Sequence, residues 1–95
     1  MASDVVIESP QEIDMATAGS LRERVLATDP DETIVIDLAS VTFCDSTGLA
    51  VLIAARDHVA RGAGRLVLRN PPAVVQRLLV ITQLEDVFEI DGADG

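Results

Sequence analysis

The chain contains neither tryptophan nor tyrosine, and its only aromatic residues are Phe43 and Phe88. It has no aromatic platform on which bases or sugars could stack, and its core has to be built from aliphatic side chains. Lysine is absent as well: all seven cations are arginines, which excludes Schiff-base and carrier-lysine chemistry. The single cysteine, Cys44, can form no intramolecular disulfide and no thiolate metal site, and it points to a reducing compartment. Basic charge is scarce, with 7 residues against 16 acids for a formal net charge of −9. Phosphate backbones and anionic lipid therefore repel the chain, so nucleic acid and membranes are not expected partners, whereas a protein with a basic docking face is. Long apolar runs are missing too. The start, Met1-Ala2-Ser3-Asp4, is acidic and is followed only by Val5-Val6-Ile7, which predicts no signal peptide, no membrane span and a cytoplasmic protein.

What is present is an alternation of strand and helix signals. Ninety-five residues suffice for one domain that buries roughly 64% of its unfolded surface, with an ordered core expected over about 5–90. Val5-Val6-Ile7 predicts a strand ended by Ser9-Pro10, since proline supplies no ladder donor. Asp14 is placed to cap a helix through about Leu26, with Ala18, Leu21 and Val25 at helical spacing. Asp29-Pro30-Asp31-Glu32 is a turn. Thr33 to Leu38 is apolar on both faces except at Asp37, the pattern of a strand covered from both sides or central in a sheet. Gly48 to about Arg61 gives a helix that buries Leu52, Ala55 and Val59 and is ended by Gly62 and Gly64. Leu66-Val67-Leu68 predicts a further strand. Asn70 caps a third helix with Pro71 at its first position and Val74, Val75, Leu78 and Leu79 inward. Val87 to Ile90 alternates as a last edge strand before a Gly/Asp tail expected to fray. Strands joined through helices indicate a small α/β domain with mainly parallel neighbours.

The place where chemistry is concentrated is Cys44-Asp45-Ser46-Thr47-Gly48-Leu49, where the buried strand hands over to the apolar helix. A helix start exposes unpaired N–H groups and partial positive charge, so a hydroxyl there can carry a phosphoryl group in surroundings suited to an anion. Asp45, Ser46 and Thr47 are equally the residue types that cap helices. The spacing leaves Ser46 and Thr47 both open as acceptors. His58 lies twelve residues beyond Ser46, about 15–18 Å along a helix, and cannot serve it or Cys44 as a base; Cys44 is expected to be a buried packing thiol and His58 a solvated helix residue. Neither a G-x-S-x-G elbow nor a P-loop occurs. The carboxylates of Asp14, Asp37 and Asp45 are expected to serve as caps or surface charge, and no metal or cofactor is expected.

The run Val35-Ile36-Asp37-Leu38-Ala39-Ser40-Val41-Thr42-Phe43-Cys44-Asp45-Ser46-Thr47-Gly48-Leu49-Ala50-Val51-Leu52 resembles the central signature of the STAS domain, the family of bacterial anti-sigma factor antagonists. Glu12 to Ala18 upstream and Gly62 to Leu68 downstream follow in the family's order and spacing. The resemblance implies a small mixed, mainly parallel sheet of about four strands with helices mainly on one face. It further implies a non-enzymatic binding module in which the serine after the Asp of D-S-[ST]-G, here Ser46, is phosphorylated by a serine kinase that is also the anti-sigma factor, and reset by a serine phosphatase. Asp14, Asp45, Ser46, Thr47, Gly48 and Leu49 are then the partner-binding positions, with Gly48 permitting the close approach of a partner's nucleotide or loop. The same fold could instead serve a stressosome-like assembly or a lipid transporter's accessory; a small hydrolase or nucleotide-binding enzyme would need a base or phosphate loop that is missing. Two departures from the family stand out: the segment before Glu12 is short, where most members have a further strand, and Gln83 stands where a helix-ending glycine is usual.

Overall fold

A computed structural model of the chain describes residues 4–92. The aliphatic runs form the strands β1 (Asp4–Glu8), β3 (Thr33–Asp37) and β5 (Arg65–Arg69), and a short β6 (Glu89–Asp91) completes a sheet in the order β1-β3-β5-β6. Three helices connect them: α1 (Ala18–Leu26), α2 (Ser46–Ala60) and α3 (Ala73–Ile81). This is the small α/β architecture expected, with every described strand pair parallel. Each crossover steps to the next strand in the same direction, and right-handed crossovers stepping one way return their helices to one face.

The register makes that asymmetry visible. Val5, Ile7, Ile34, Ile36, Leu66, Leu68 and Ile90 all turn to the side where Leu21, Val25, Leu52, Val59, Val75 and Leu79 of the helices complete the core. The alternate residues form the open face. There Val6, Val35 and Val67 stand in one row between charged rows, and Arg65 and Arg69 pair with Glu89 and Asp91. Of the two environments expected for the Thr33–Leu38 run, the structure has the central one: Val35 is buried by its sheet neighbours, without belonging to the helix-side core.

Several boundaries differ from the sequence expectation, each for a local reason. Helix α1 begins at Ala18, with Thr17 at its N-cap, because Asp14 organises a separate turn just before it. Helix α2 begins at Ser46, two residues early, since Asp45 and not a later residue caps it. Asn70 does not cap α3: it adopts φ 52, and the helix starts at Ala73 with Pro72 as N-cap. His58 is half-buried, with Nε2 2.7 Å from the Thr28 carbonyl, so it ties α2 to the end of α1 instead of standing free in solvent. At the end of α3 Gln83 takes φ 61, while Leu84 N–H donates to the Leu79 carbonyl and Gln83 N–H to that of Val80. That is a Schellman closure made without its usual glycine. The fraying expected of the tail concerns residues 93–95, which lie outside the described residues, as do residues 1–3 at the start.

Candidate functional site at the start of α2

Two very short strands build the site. β2 (Glu12–Ile13) and β4 (Phe43–Cys44) pair in parallel, Glu12 opposite Phe43 and Ile13 opposite Cys44. Neither is visible as a strand in the sequence, because two residues carry no periodicity. Their inward members, Ile13 and Cys44, are buried in the core. Gln11 lends its carbonyl to the amides of Thr42 and Phe43, and the Asp45 amide donates to Ile13 O. The register continued by one step brings Asp14 level with Asp45, two acids 31 positions apart in the chain.

Each carboxylate is engaged. Asp14 Oδ1 accepts from the amides of Ala16 (2.9 Å) and Thr17 (3.3 Å), and the Thr17 hydroxyl donates 2.7 Å to Glu12 O. Asp45 Oδ1 accepts from the amide (2.9 Å) and the hydroxyl (2.5 Å) of Thr47. The Thr47 hydroxyl bond, foremost, holds the Asp45 carboxyl below the usual carboxylate range. The two hydroxyls are thereby distinguished. Thr47 is half-buried with its hydroxyl committed to the cap, whereas Ser46, the first helical residue, is exposed and takes no part in the cap hydrogen bonds.

Gly48 and Leu49, expected among the partner-binding positions, are turned inward. Both are buried, and a Cβ on Gly48 would lie 2.5 Å from Cys44 Sγ and 2.8 Å from Ile13 Cγ2. The close approach that this glycine permits is α2 against the β2–β4 pair, inside the molecule. Cys44 is the packing thiol expected, its pKa pushed up to about 11 by burial and then by Asp45. Two residues not singled out from the sequence join the exposed surface: Met15, in the turn after Asp14, is 86% exposed and Phe43, beside Glu12, is 47% exposed. Alternation around buried Cys44 could have flagged Phe43. Met15 carried no such signal, since a helix starting at Asp14 would have put it on the buried stripe with Ala18.

Among the described residues no cluster of three or more potential metal ligands occurs, and no helix is long and apolar enough to cross a membrane.

Comparison with known proteins identifies relatives of the whole chain. The anti-sigma-B factor antagonist of Listeria monocytogenes is 37% identical over 86 residues, covering 88% of this chain and 75% of its relative. That of Bacillus subtilis is 33% identical over 89 residues, covering 93% and 82%. Two solved structures share the fold: the anti-sigma factor antagonist SpoIIAA in its unphosphorylated form, at TM-score 0.79 and 22% identity over 99% of this chain and 84% of that one, and an anti-sigma-factor antagonist (STAS) domain protein from Planctomyces limnophilus, at TM-score 0.80 and 20% identity over 94% and 82%. With residues 2–93 matching the family model described as STAS domain, the chain belongs to the STAS domain family.

Proposed function

We propose that the chain is an anti-sigma factor antagonist whose binding is switched by phosphorylation of Ser46. The observation that carries this is the division of labour at the helix start: Thr47 is tied to Asp45, leaving Ser46 as the exposed hydroxyl, with Met15 and Phe43 exposed on the two segments that pair at the site. The relatives' names give the partner class, an anti-sigma factor. In this reading the partner is a serine kinase, held through Met15, Phe43 and the acidic edge formed by Asp14 and Asp45, and a sigma factor is released when the antagonist occupies it.

In the transfer, Ser46 Oγ forms a bond to the γ-phosphorus of the kinase's nucleotide, the bond to the bridging oxygen breaks, and the serine proton passes to a base on the kinase. The product carries about −1.5 to −2 charges. A helix N-terminus tolerates them, so the fold persists, while like charge beside Asp45 and steric bulk at the interface release the partner. A serine phosphatase restores the binding form.

The test is titration of an anti-sigma factor kinase with the wild type, Ser46→Ala and Ser46→Asp, together with phosphosite mapping after incubation with Mg-ATP. Wild type and Ser46→Ala bind, Ser46→Asp binds more weakly, and a single phosphate maps to Ser46. Met15→Ala combined with Phe43→Ala weakens binding by about tenfold or more, as removal of central apolar anchors does. Phosphate on Thr47 in a Ser46→Ala protein, or equal affinity of all forms, would sink the assignment.

A further inference from the structure

Resting on Ser46 as the acceptor, we infer that Arg22 is the residue of this chain that grips the phosphoserine. A groove of about 450 Å³ runs between α1 and α2 and is lined by Ala18, Gly19, Arg22, Thr47, Ala50 and Ala54 among others. Its walls are small side chains. At Gly19 nothing lies within 4 Å of where a Cβ would stand, so the α1 wall of the groove is open at that point. Ala50 is four residues beyond Ser46, about 6 Å along the axis and on the same helical stripe. A phosphate on Ser46 therefore stands at the rim of this groove.

The direction of the two helices favours this meeting. Both α1 and α2 return from the carboxyl end of one parallel strand to the start of the next, so they run in the same direction. Side chains on a helix lean toward its N-terminus, which carries the Arg22 guanidinium from its own level toward that of Ala18 and Thr47.

Arg22 is free to turn: among the described residues its side chain takes part in no hydrogen bond or ion pair, as is also true of Arg56, Arg61 and Arg77, whereas Arg24 donates to the Glu8 carbonyl and Arg65 and Arg69 pair with Glu89 and Asp91. Arg56 and Arg61 belong to the far half of α2, and Arg77 lines a different cavity, with Asn70 and Gly92 at the ends of β5 and β6. The nearby acids, Asp14 and Asp45, are satisfied by Thr17 and Thr47. A guanidinium offers a planar fork that fits two phosphate oxygens at once. Closing that fork draws the Arg22 stem across Ala50 and Ala54, so phosphorylation seals the groove against a partner's side chain as well as adding charge.

The test uses protein with phosphoserine placed at position 46 by genetic encoding, so that it requires no kinase. The second ionisation of the phosphate is followed by phosphorus NMR in otherwise wild-type protein, Arg22→Ala, Arg22→Lys and Arg24→Ala, with amide spectra recorded to confirm the fold. The phosphate is expected to ionise about half a pH unit or more lower with Arg22 present than with alanine there, as a nearby cation demands. Lysine, without the fork, falls between, and Arg24→Ala matches the wild type. Coincident curves for wild type and Arg22→Ala, or a shift from Arg24→Ala as large as that from Arg22→Ala, would overturn the inference. Failure of a kinase to modify Ser46 would sink the proposed function and leave this titration standing.

Discussion

The amide of Asp45 donates to the carbonyl of Ile13 at 3.2 Å. Through this bond the cap of α2 hangs from the strand that leads into the Asp14 turn, and two remote acids are fixed at one edge of the molecule. The acidic surface around Ser46 is thus a property of the backbone pairing, beyond the high content of acids in the chain.

Asp45 should show its capping role in acid. Its carboxyl is held low by Thr47, so the stabilisation is complete above the unfolded carboxyl pKa, about 3.9, and disappears as pH falls through the lower folded value. Asp45→Ala is expected to melt a few degrees below wild type at pH 7, with the two curves converging as pH falls below the ordinary carboxylate range. A gap that widens in acid would contradict the assignment of the cap.

Gly48→Ala tests the internal approach. A methyl group there meets Cys44 Sγ and Ile13, both buried, and overpacking of this kind costs about 1–3 kcal/mol. Chemical denaturation should report that loss. A neutral effect would mean that α2 can slide away from the β2–β4 pair without cost.

Gln83→Gly should stabilise the protein. A non-glycine residue in the left-handed region costs about 1–2 kcal/mol, offset by about 0.5–1 kcal/mol for glycine's greater freedom in the unfolded chain. The net gain is up to about 1.5 kcal/mol, which at about 4–8 °C per kcal/mol is a rise of several degrees in Tm for a domain of this size. A lower Tm would show that the glutamine side chain contributes something its backbone does not.

Cys44 should resist alkylation while the protein is folded. With a pKa near 11 and a buried sulfur, only about one thiol in ten thousand is ionised at pH 7, and the thiolate is the reactive form. Iodoacetamide labelling at pH 7–8 should follow unfolding, becoming rapid in denaturant. Rapid labelling of the native protein would require a more open β4.

The elements with enough apolar residues were legible: β1, β3 and β5 follow from their continuous apolar runs, and the buried stripes of α1 and α2 from helical spacing. What escaped were features set by tertiary pairing. β2 and β4 are two residues each and exist only because each has the other, and the start of α1 moved because Asp14 spends its carboxylate on Ala16 and Thr17. Around the site, Ser46 and Asp45 stand out from residue type and position alone. The inward turn of Gly48 and Leu49 and the exposure of Met15 and Phe43 depend on which side of α2 meets the β2–β4 pair, which no local pattern encodes.

The β2–β4 pairing also gives the site a place in time. Joining Ile13 to Cys44 closes a loop of about thirty residues, and such long-range parallel contacts are formed slowly, after their entropy has been met by the surrounding structure. A nascent or partly unfolded chain can hold the whole D-S-T-G sequence and the α2 helix yet still lack the Asp14–Asp45 edge. The edge is therefore present only where Ile13 and Cys44 have paired, and it distinguishes a folded chain from one that merely contains the sequence.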